Sequence, residues 1–147
     1  MRGVVQLVSS ASVTVDGRTV GSVDRGYLVL LGIHRDDTED DLEYIARKIL
    51  GLRIFPDDQG RMNRSITDID GSILLVSQFT LQGDTTKGRR PGFDRAAPPD
   101  LAIPLYEKMI TRMRREVPVA TGEFGAKMRV SLVNEGPVTF ILDSFDR

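Results

Sequence analysis

The sequence predicts an α/β protein of the α+β type. It is expected to be a single domain over residues 1–147, its mixed or antiparallel sheet curled toward a barrel with two helices outside. Three observations carry this expectation. Strand-like alternation with a turn signal stands at each end of the chain. Only two segments have helical periodicity, too few for a doubly wound parallel fold. A continuous apolar run, Tyr27-Leu28-Val29-Leu30-Leu31-Gly32-Ile33, has the character of a strand buried on both faces.

The elements follow in order. Residues 3–15 alternate, with Val4, Gln6 and Val8 against Val5, Leu7 and Ser9, and read as a long strand. Asp16-Gly17 is a hairpin turn signal, and Thr19–Val23 is the return strand. After the apolar run, Thr38 is a suitable N-cap, followed by acids at 39, 40 and 41 where the helix dipole favours them. Leu42, Ile45, Ala46 and Ile49 then form one apolar stripe, and Gly51 can end the helix.

Leu52-Arg53-Ile54-Phe55 reads as a short strand closed by Pro56, and Asp57-Asp58-Gln59-Gly60 is turn chemistry. Ser72–Leu81 reads as one further strand. Residues 82–99 form the longest irregular stretch, rich in Gly, Pro and charge; long loops are often functional. A second helix is expected from about Asp100 to Glu116, with Leu101, Leu105, Met109 and Met113 inward and Pro104 restricting where it starts. Met128–Val133 and Val138–Leu142 read as two strands flanking a turn. The predicted order is β-β-β-α-β-β-α-β-β.

Composition excludes several classes. Hydrophobic content of 40% with 28% charged residues is that of a soluble globular protein. No run of 18 apolar residues and no signal-peptide core occur, so no membrane span and a cytoplasmic location are expected. Net charge is −1, so no global field recruits nucleic acid. Two local basic clusters stand out, Lys87-Gly88-Arg89-Arg90 and Arg112, Arg114, Arg115. They read as a solvated loop and a solvated helix end, although a glycine-flanked basic loop can close on phosphate.

The usual catalysts are missing. There is no cysteine, hence no thiolate nucleophile and no zinc-thiolate site. There is no nucleophile elbow, Walker loop or dinucleotide fingerprint. The single histidine, His34, reads as an exposed loop residue, and a lone histidine makes no transition-metal site. Neither a cofactor nor a metal is expected.

What remains is hydroxyl and amide chemistry. Ser77-Gln78-Phe79-Thr80 interrupts an apolar strand with three polar groups in four positions. Strict alternation would put Ser77 and Phe79 on one face and Gln78 and Thr80 on the other. These groups either line a polar pocket or mark a strand end emerging into solvent. A second unusual segment is Asn134-Glu135-Gly136-Pro137-Val138-Thr139. Gly136 and Pro137 can present bare, rigid carbonyls. Alone, the segment reads as an ordinary hairpin tip with proline opening a strand.

Taken together, Ser77-Gln78-Phe79-Thr80-Leu81 and Asn134-x-Gly136-Pro137-Val138-Thr139 resemble the two signature motifs of the D-aminoacyl-tRNA (D-tyrosyl-tRNA) deacylase family. Further matches are Ala11-Ser12-Val13-Thr14-Val15, Gly60-x-Met62-Asn63, Arg90-Pro91-x-Phe93 and Phe124-x-Ala126-x-Met128. They run in order over nearly the whole chain.

The resemblance implies hydrolysis of the ester that joins a D-amino acid, or glycine, to the tRNA 3′ end. It implies a homodimer with its active site at the subunit interface and no membrane partner. Gly136 and a cis Pro137, with Asn134, Val138 and Thr139 around them, would then be a backbone filter that rejects L side chains. Ser77, Gln78, Phe79 and Thr80 would line the ester end of the pocket. Phe124, Ala126 and Met128 would lie near the terminal adenosine, and Ala102 would form a wall.

On this reading the vicinal 2′-hydroxyl of the ribose assists, because no base is visible beside Thr80. The other route makes Thr80 a covalent nucleophile. Two departures from the family pattern are Leu7, where the family usually has Arg, and Gln82-Gly83. The competing reading is a non-catalytic module that binds a tRNA end or a nucleotide. A plain interaction domain is the third.

Overall fold

The computed structural model describes residues 1–147. Its central feature is the first strand, β1 (Arg2–Val15), fourteen residues long and paired on both edges. The outer half of β1 pairs antiparallel with β2 (Arg18–Val23), across the predicted Asp16-Gly17 turn. The inner half pairs antiparallel with β3 (Gly26–Gly32), where Val5 faces Val29. Helix α1 (Glu39–Gly51) follows, then a small ribbon of β4 (Phe55–Pro56) and β5 (Met62–Arg64). Strand β6 (Ser72–Ser77) lies parallel to β3, and β7 (Val119–Thr121) lies parallel to β6 after helix α2 (Pro99–Arg114). The last strand, β8 (Arg129–Asp143), pairs with nearly the whole of β1.

The sheet order is β2-β1-β3-β6-β7, with β8 against the other edge of β1. Parallel and antiparallel pairs are both present, so the sheet is mixed. It curls until β2 meets β7, so that the sheet nearly closes into a barrel. At that seam Gly21 lies so near the Thr121 carbonyl that a Cβ would come within 2.2 Å of it. Only glycine permits that approach.

Two apolar layers follow from this curl. Val8, Val13, Leu28, Leu74 and Val76 fill one side of the sheet. Val5, Tyr27, Val29, Ile73 and Leu75 face the other side, where Ile45 and Ile49 of α1 and Met109 and Met113 of α2 cover them. The continuous apolar run in β3 is thus explained, since both its faces are buried.

Helix α1 starts as expected at Thr38, whose backbone N–H and hydroxyl both donate to the Asp41 carboxylate at 2.9 Å. Burial pushes the Asp41 carboxyl up, but hydrogen bonds from Thr38 and Ser144 outweigh this and hold it below the usual carboxylate range. The helices are tied together by Arg112, which donates to Glu43 at 2.8 Å, and by a Lys108–Glu39 ion pair.

Four expectations are corrected. Residues 79–82 are a single 3₁₀ turn and not the end of a strand. Pro104 lies inside α2 and does not mark its first turn, because the helix begins earlier at Pro99. Strands β5 and β7 were not foreseen; each is only three residues long, too short to show a period. Finally, residues 128–142 are not two strands around a reversal. The chain runs on through 129–143 as one strand, because β1 is long enough to pair with both halves. Val8 faces Asn134 and Gln6 faces Thr139, so residues 135–138 bulge out opposite Leu7 alone.

Candidate active site

Strand β6 ends at Ser77 for a local reason. The Gln78 N–H still donates to the Leu31 carbonyl at 2.8 Å, continuing the β3 pairing by one residue. The chain then turns across Gly32. Leu81 packs so closely there that a Cβ on Gly32 would lie 2.7 Å from the Leu81 Cβ. The buried Gln82 side chain donates to the Gly32 carbonyl at 2.9 Å, replacing the bond a continuing strand would have made. Gln82, one of the departures from the family pattern, therefore fastens this turn. Arg2 adds a second tie by donating to the Leu81 carbonyl at 2.9 Å while paired with Asp143.

The turn opens a cavity of about 550 Å³ between the end of the sheet and the start of α2, within the range of small-molecule sites. Ser77, Gln78 and Phe79 form its polar end, and Ala102 and Pro99 form the α2 wall. Phe124, Gly125, Ala126 and Met128 form the opposite wall, with Leu31, Ile33 and Val76 at the base. No lining residue is titratable.

Phe124 is held in place by Tyr106, whose ring centroid is 5.7 Å away. The Tyr106 hydroxyl donates to the Leu75 carbonyl at 2.8 Å, and burial pushes its pKa up to about 12. At the mouth, Phe79 is 57% exposed and meets Phe93 edge-on at 5.1 Å.

Of the sequence-predicted residues, Ser77, Gln78, Phe79, Ala102, Phe124, Ala126 and Met128 come together here. Thr80 does not line the cavity. It is exposed on the same turn, and its Oγ1 accepts from the Gln78 amide at 2.5 Å. An amide in either orientation is no general base. The first N–H groups of the turn, at Phe79 and Thr80, have no carbonyl within the turn to bond.

Asn134, Gly136, Pro137, Val138 and Thr139 are likewise outside the cavity of their own chain. They belong to the bulge on β8. The Gly136–Pro137 peptide is cis, and Gly136 has a φ of 113°, a region that favours glycine. Asn134 holds the bulge by donating to the carbonyls of Leu7 and Val138 at 2.8 and 3.0 Å. Gly136 and Pro137 are exposed. Leu7 itself is buried, so its contribution to the bulge is its backbone carbonyl.

His34 is not the exposed loop residue expected. Its side chain is only 13% exposed, its Nδ1 accepts from the Asp36 N–H, and its ring packs edge-on against Phe145 at 5.0 Å. Sequence reasoning missed Leu31, Ile33, Val76, Ala97, Pro99, Gly125 and Val130 of the lining. Leu31 and Ile33 share one face of an alternating strand; the others gave no signal. No cluster of histidine, cysteine or carboxylate that could hold a metal occurs. No helix is long and apolar enough to cross a membrane.

Fold and pocket together define a small mixed α/β protein with an uncharged cavity at the end of its nearly closed sheet. The chain belongs to the D-Tyr-tRNA(Tyr) deacylase family, whose model matches residues 4–143. It is 54% identical to the D-aminoacyl-tRNA deacylase of Thermosipho africanus over 98% of this chain and 97% of that one. It is 56% identical to the enzyme of that name from Thermus aquaticus, over 100% of this chain and 97% of that one. Among solved structures, the c-Myc DNA Unwinding Element Binding Protein superposes with a TM-score of 0.93 at 43% identity, covering 97% of this chain and 98% of that one. A probable eukaryotic D-amino acid tRNA deacylase superposes at 0.81 and 22% identity, covering 97% and 98% respectively, a likeness of fold alone.

Proposed function

We propose that this protein hydrolyses the ester of D-aminoacyl-tRNA, and of mischarged glycyl-tRNA, releasing free amino acid and tRNA. The observation that carries the reading is the cavity at Ser77, Gln78 and Phe79, polar at one end and without a titratable group. It occurs in a chain that matches deacylases over its full length.

The chemistry follows from what the cavity holds. Water adds to the ester carbonyl, and the charge that builds on oxygen meets the Phe79 N–H at the polar end of the cavity. The bond to O3′ then breaks, and O3′ leaves with a proton. The substrate's 2′-hydroxyl, adjacent to the scissile bond, assists the water and relays that proton. Thr80 is not the nucleophile: its hydroxyl partner is an amide and no base stands beside it.

Selectivity rests on the bulge. Gly136 and Pro137 lie outside their own chain's cavity, so a role in the pocket requires a second copy of the chain. In such a homodimer, the exposed edge strand β8, which carries Val133 and Ile141 at 54% and 70% exposure, supplies the contact surface. The carbonyls of the partner's bulge then hold the α-amino group and leave no room for an L side chain. A filter made of main chain excludes by shape and accepts many D side chains.

The test is hydrolysis of D-Tyr-tRNA, Gly-tRNA and L-Tyr-tRNA side by side. Release from the first two and not from the third is expected. Equal cleavage of the D- and L-esters would overturn the filter. Tight tRNA binding without hydrolysis would favour a non-catalytic module instead.

A further inference from the structure

The loop between the 3₁₀ turn and α2 is built as a basic projection at the rim of the cavity. Its root is closed by a reciprocal pair of backbone hydrogen bonds between Asp84 and Gly92, at 2.8 and 2.9 Å. Asp84 further accepts from the Thr86 N–H and hydroxyl and pairs with Arg95 at 3.4 Å. A second bridge, His34 to Ala96, and the Phe93–Phe79 contact fix the loop beside the cavity mouth. The segment beyond that root, residues 85–91, is exposed throughout.

Within it Lys87, Arg89 and Arg90 make no ion pair, since the nearby carboxylate of Asp84 is committed to Thr86 and Arg95. Three unpaired cations therefore stand next to two exposed aromatic rings. Cations that meet phosphates and aromatic faces that stack bases are the two components of single-strand recognition. With a net charge of −1 on the chain, this attraction is local and sets a direction of approach.

We propose that Lys87, Arg89 and Arg90 grip the phosphates of the tRNA acceptor end while the Phe79–Phe93 pair flanks the terminal nucleotides. The identity of the RNA rests on the proposed function; the phosphate grip does not. These three are positioning residues, since none lines the cavity where the ester is cleaved.

The triple variant K87A/R89A/R90A tests this, with R18A/R47A/R61A as a control that removes equal charge from exposed sites outside the cavity lining. Two measurements are made on each protein. The first is equilibrium binding of uncharged tRNA as a function of salt. The loop variant should lose about tenfold or more in affinity, and its slope of log K against log salt should fall by about two. The control should change far less.

The second measurement is hydrolysis of D-Tyr-tRNA and of the truncated ester D-tyrosyl-adenosine. The loop variant should raise KM for the tRNA ester and leave kcat for both substrates near the wild-type values. Equal losses on the two esters, or tRNA binding no weaker than in the control, would overturn the proposal. If wild-type protein cleaves neither ester while the loop variant still loses tRNA binding, the deacylase reading fails and the grip survives.

Discussion

The side-chain amide of Asn134 donates 2.8 Å to the backbone carbonyl of Leu7, pinning the base of the bulge to the strand it departs from. The same amide reaches Val138 at 3.0 Å, so one side chain closes both ends of the excursion. Asn134→Ala removes both bonds. It should lower stability by about 1–2 kcal/mol, the usual cost of deleting hydrogen bonds at a partly buried site. It should also erode discrimination between D- and L-esters. Thermal unfolding and the ratio of kcat/KM for D- over L-Tyr-tRNA check the two effects. Asn134→Asp should be worse than Ala, because a carboxylate would face two carbonyl oxygens.

Thr80→Ala should keep turnover within about tenfold of wild type, since its hydroxyl is bonded only to an amide. Single-turnover hydrolysis of D-Tyr-tRNA is the measurement. A loss of about 10³-fold or more would reinstate Thr80 as the nucleophile.

Gly32→Ala should damage activity more than folding. Its added Cβ would stand 2.7 Å from the Leu81 Cβ and 3.0 Å from the Gln78 carbonyl oxygen, so the turn that carries Phe79 must shift. Misplacing a catalytic group by about 1 Å can cost about 10²-fold in rate. The expected result is a folded protein, by circular dichroism, with kcat reduced by roughly that factor. Full activity would show that the turn tolerates displacement.

The Asp41 carboxyl at the start of α1 is held below its usual range, with burial opposed by hydrogen bonds from Thr38 and Ser144. A depressed carboxylate contributes stability above its unfolded pKa, near 4, and loses it as pH falls through the lower folded value. Stability should therefore decline below about pH 4. Asp41→Asn should lower Tm at pH 7 and flatten that acid decline. Thr38→Ala should cost about 1 kcal/mol. Thermal unfolding from neutral to acid pH reads all three.

Much of the scaffold was legible in the residues. The alternation of β1, the Asp16-Gly17 turn, the double-faced run of β3 and the Thr38 cap each appear where expected. Each is a local signal, in which neighbouring side chains decide the outcome. Four of the pocket residues, Ala102, Phe124, Ala126 and Met128, were legible only through their likeness to a family, because a wall formed from separate elements has no local period.

Where local pattern failed, a distant group had intervened. Residues 79–82 alternate like a strand, yet Gly32 and the Gln82 amide turn them into a 3₁₀ turn. Residues 134–139 have turn chemistry, yet the chain does not reverse there, because fourteen residues of β1 offer pairing on both sides of the bulge.

By itself, then, the sequence determined the elements whose stability is settled within a few residues, along with the lack of any thiol. Only the tertiary structure decided that Ser77–Phe79 opens a cavity and that Gly136 and Pro137 stand apart from it on the edge strand. The reason is physical. A hydrogen bond between Gln82 and Gly32, or between Asn134 and Leu7, joins residues fifty or more positions apart. Such bonds select among local conformations of similar energy, and no local pattern records the choice.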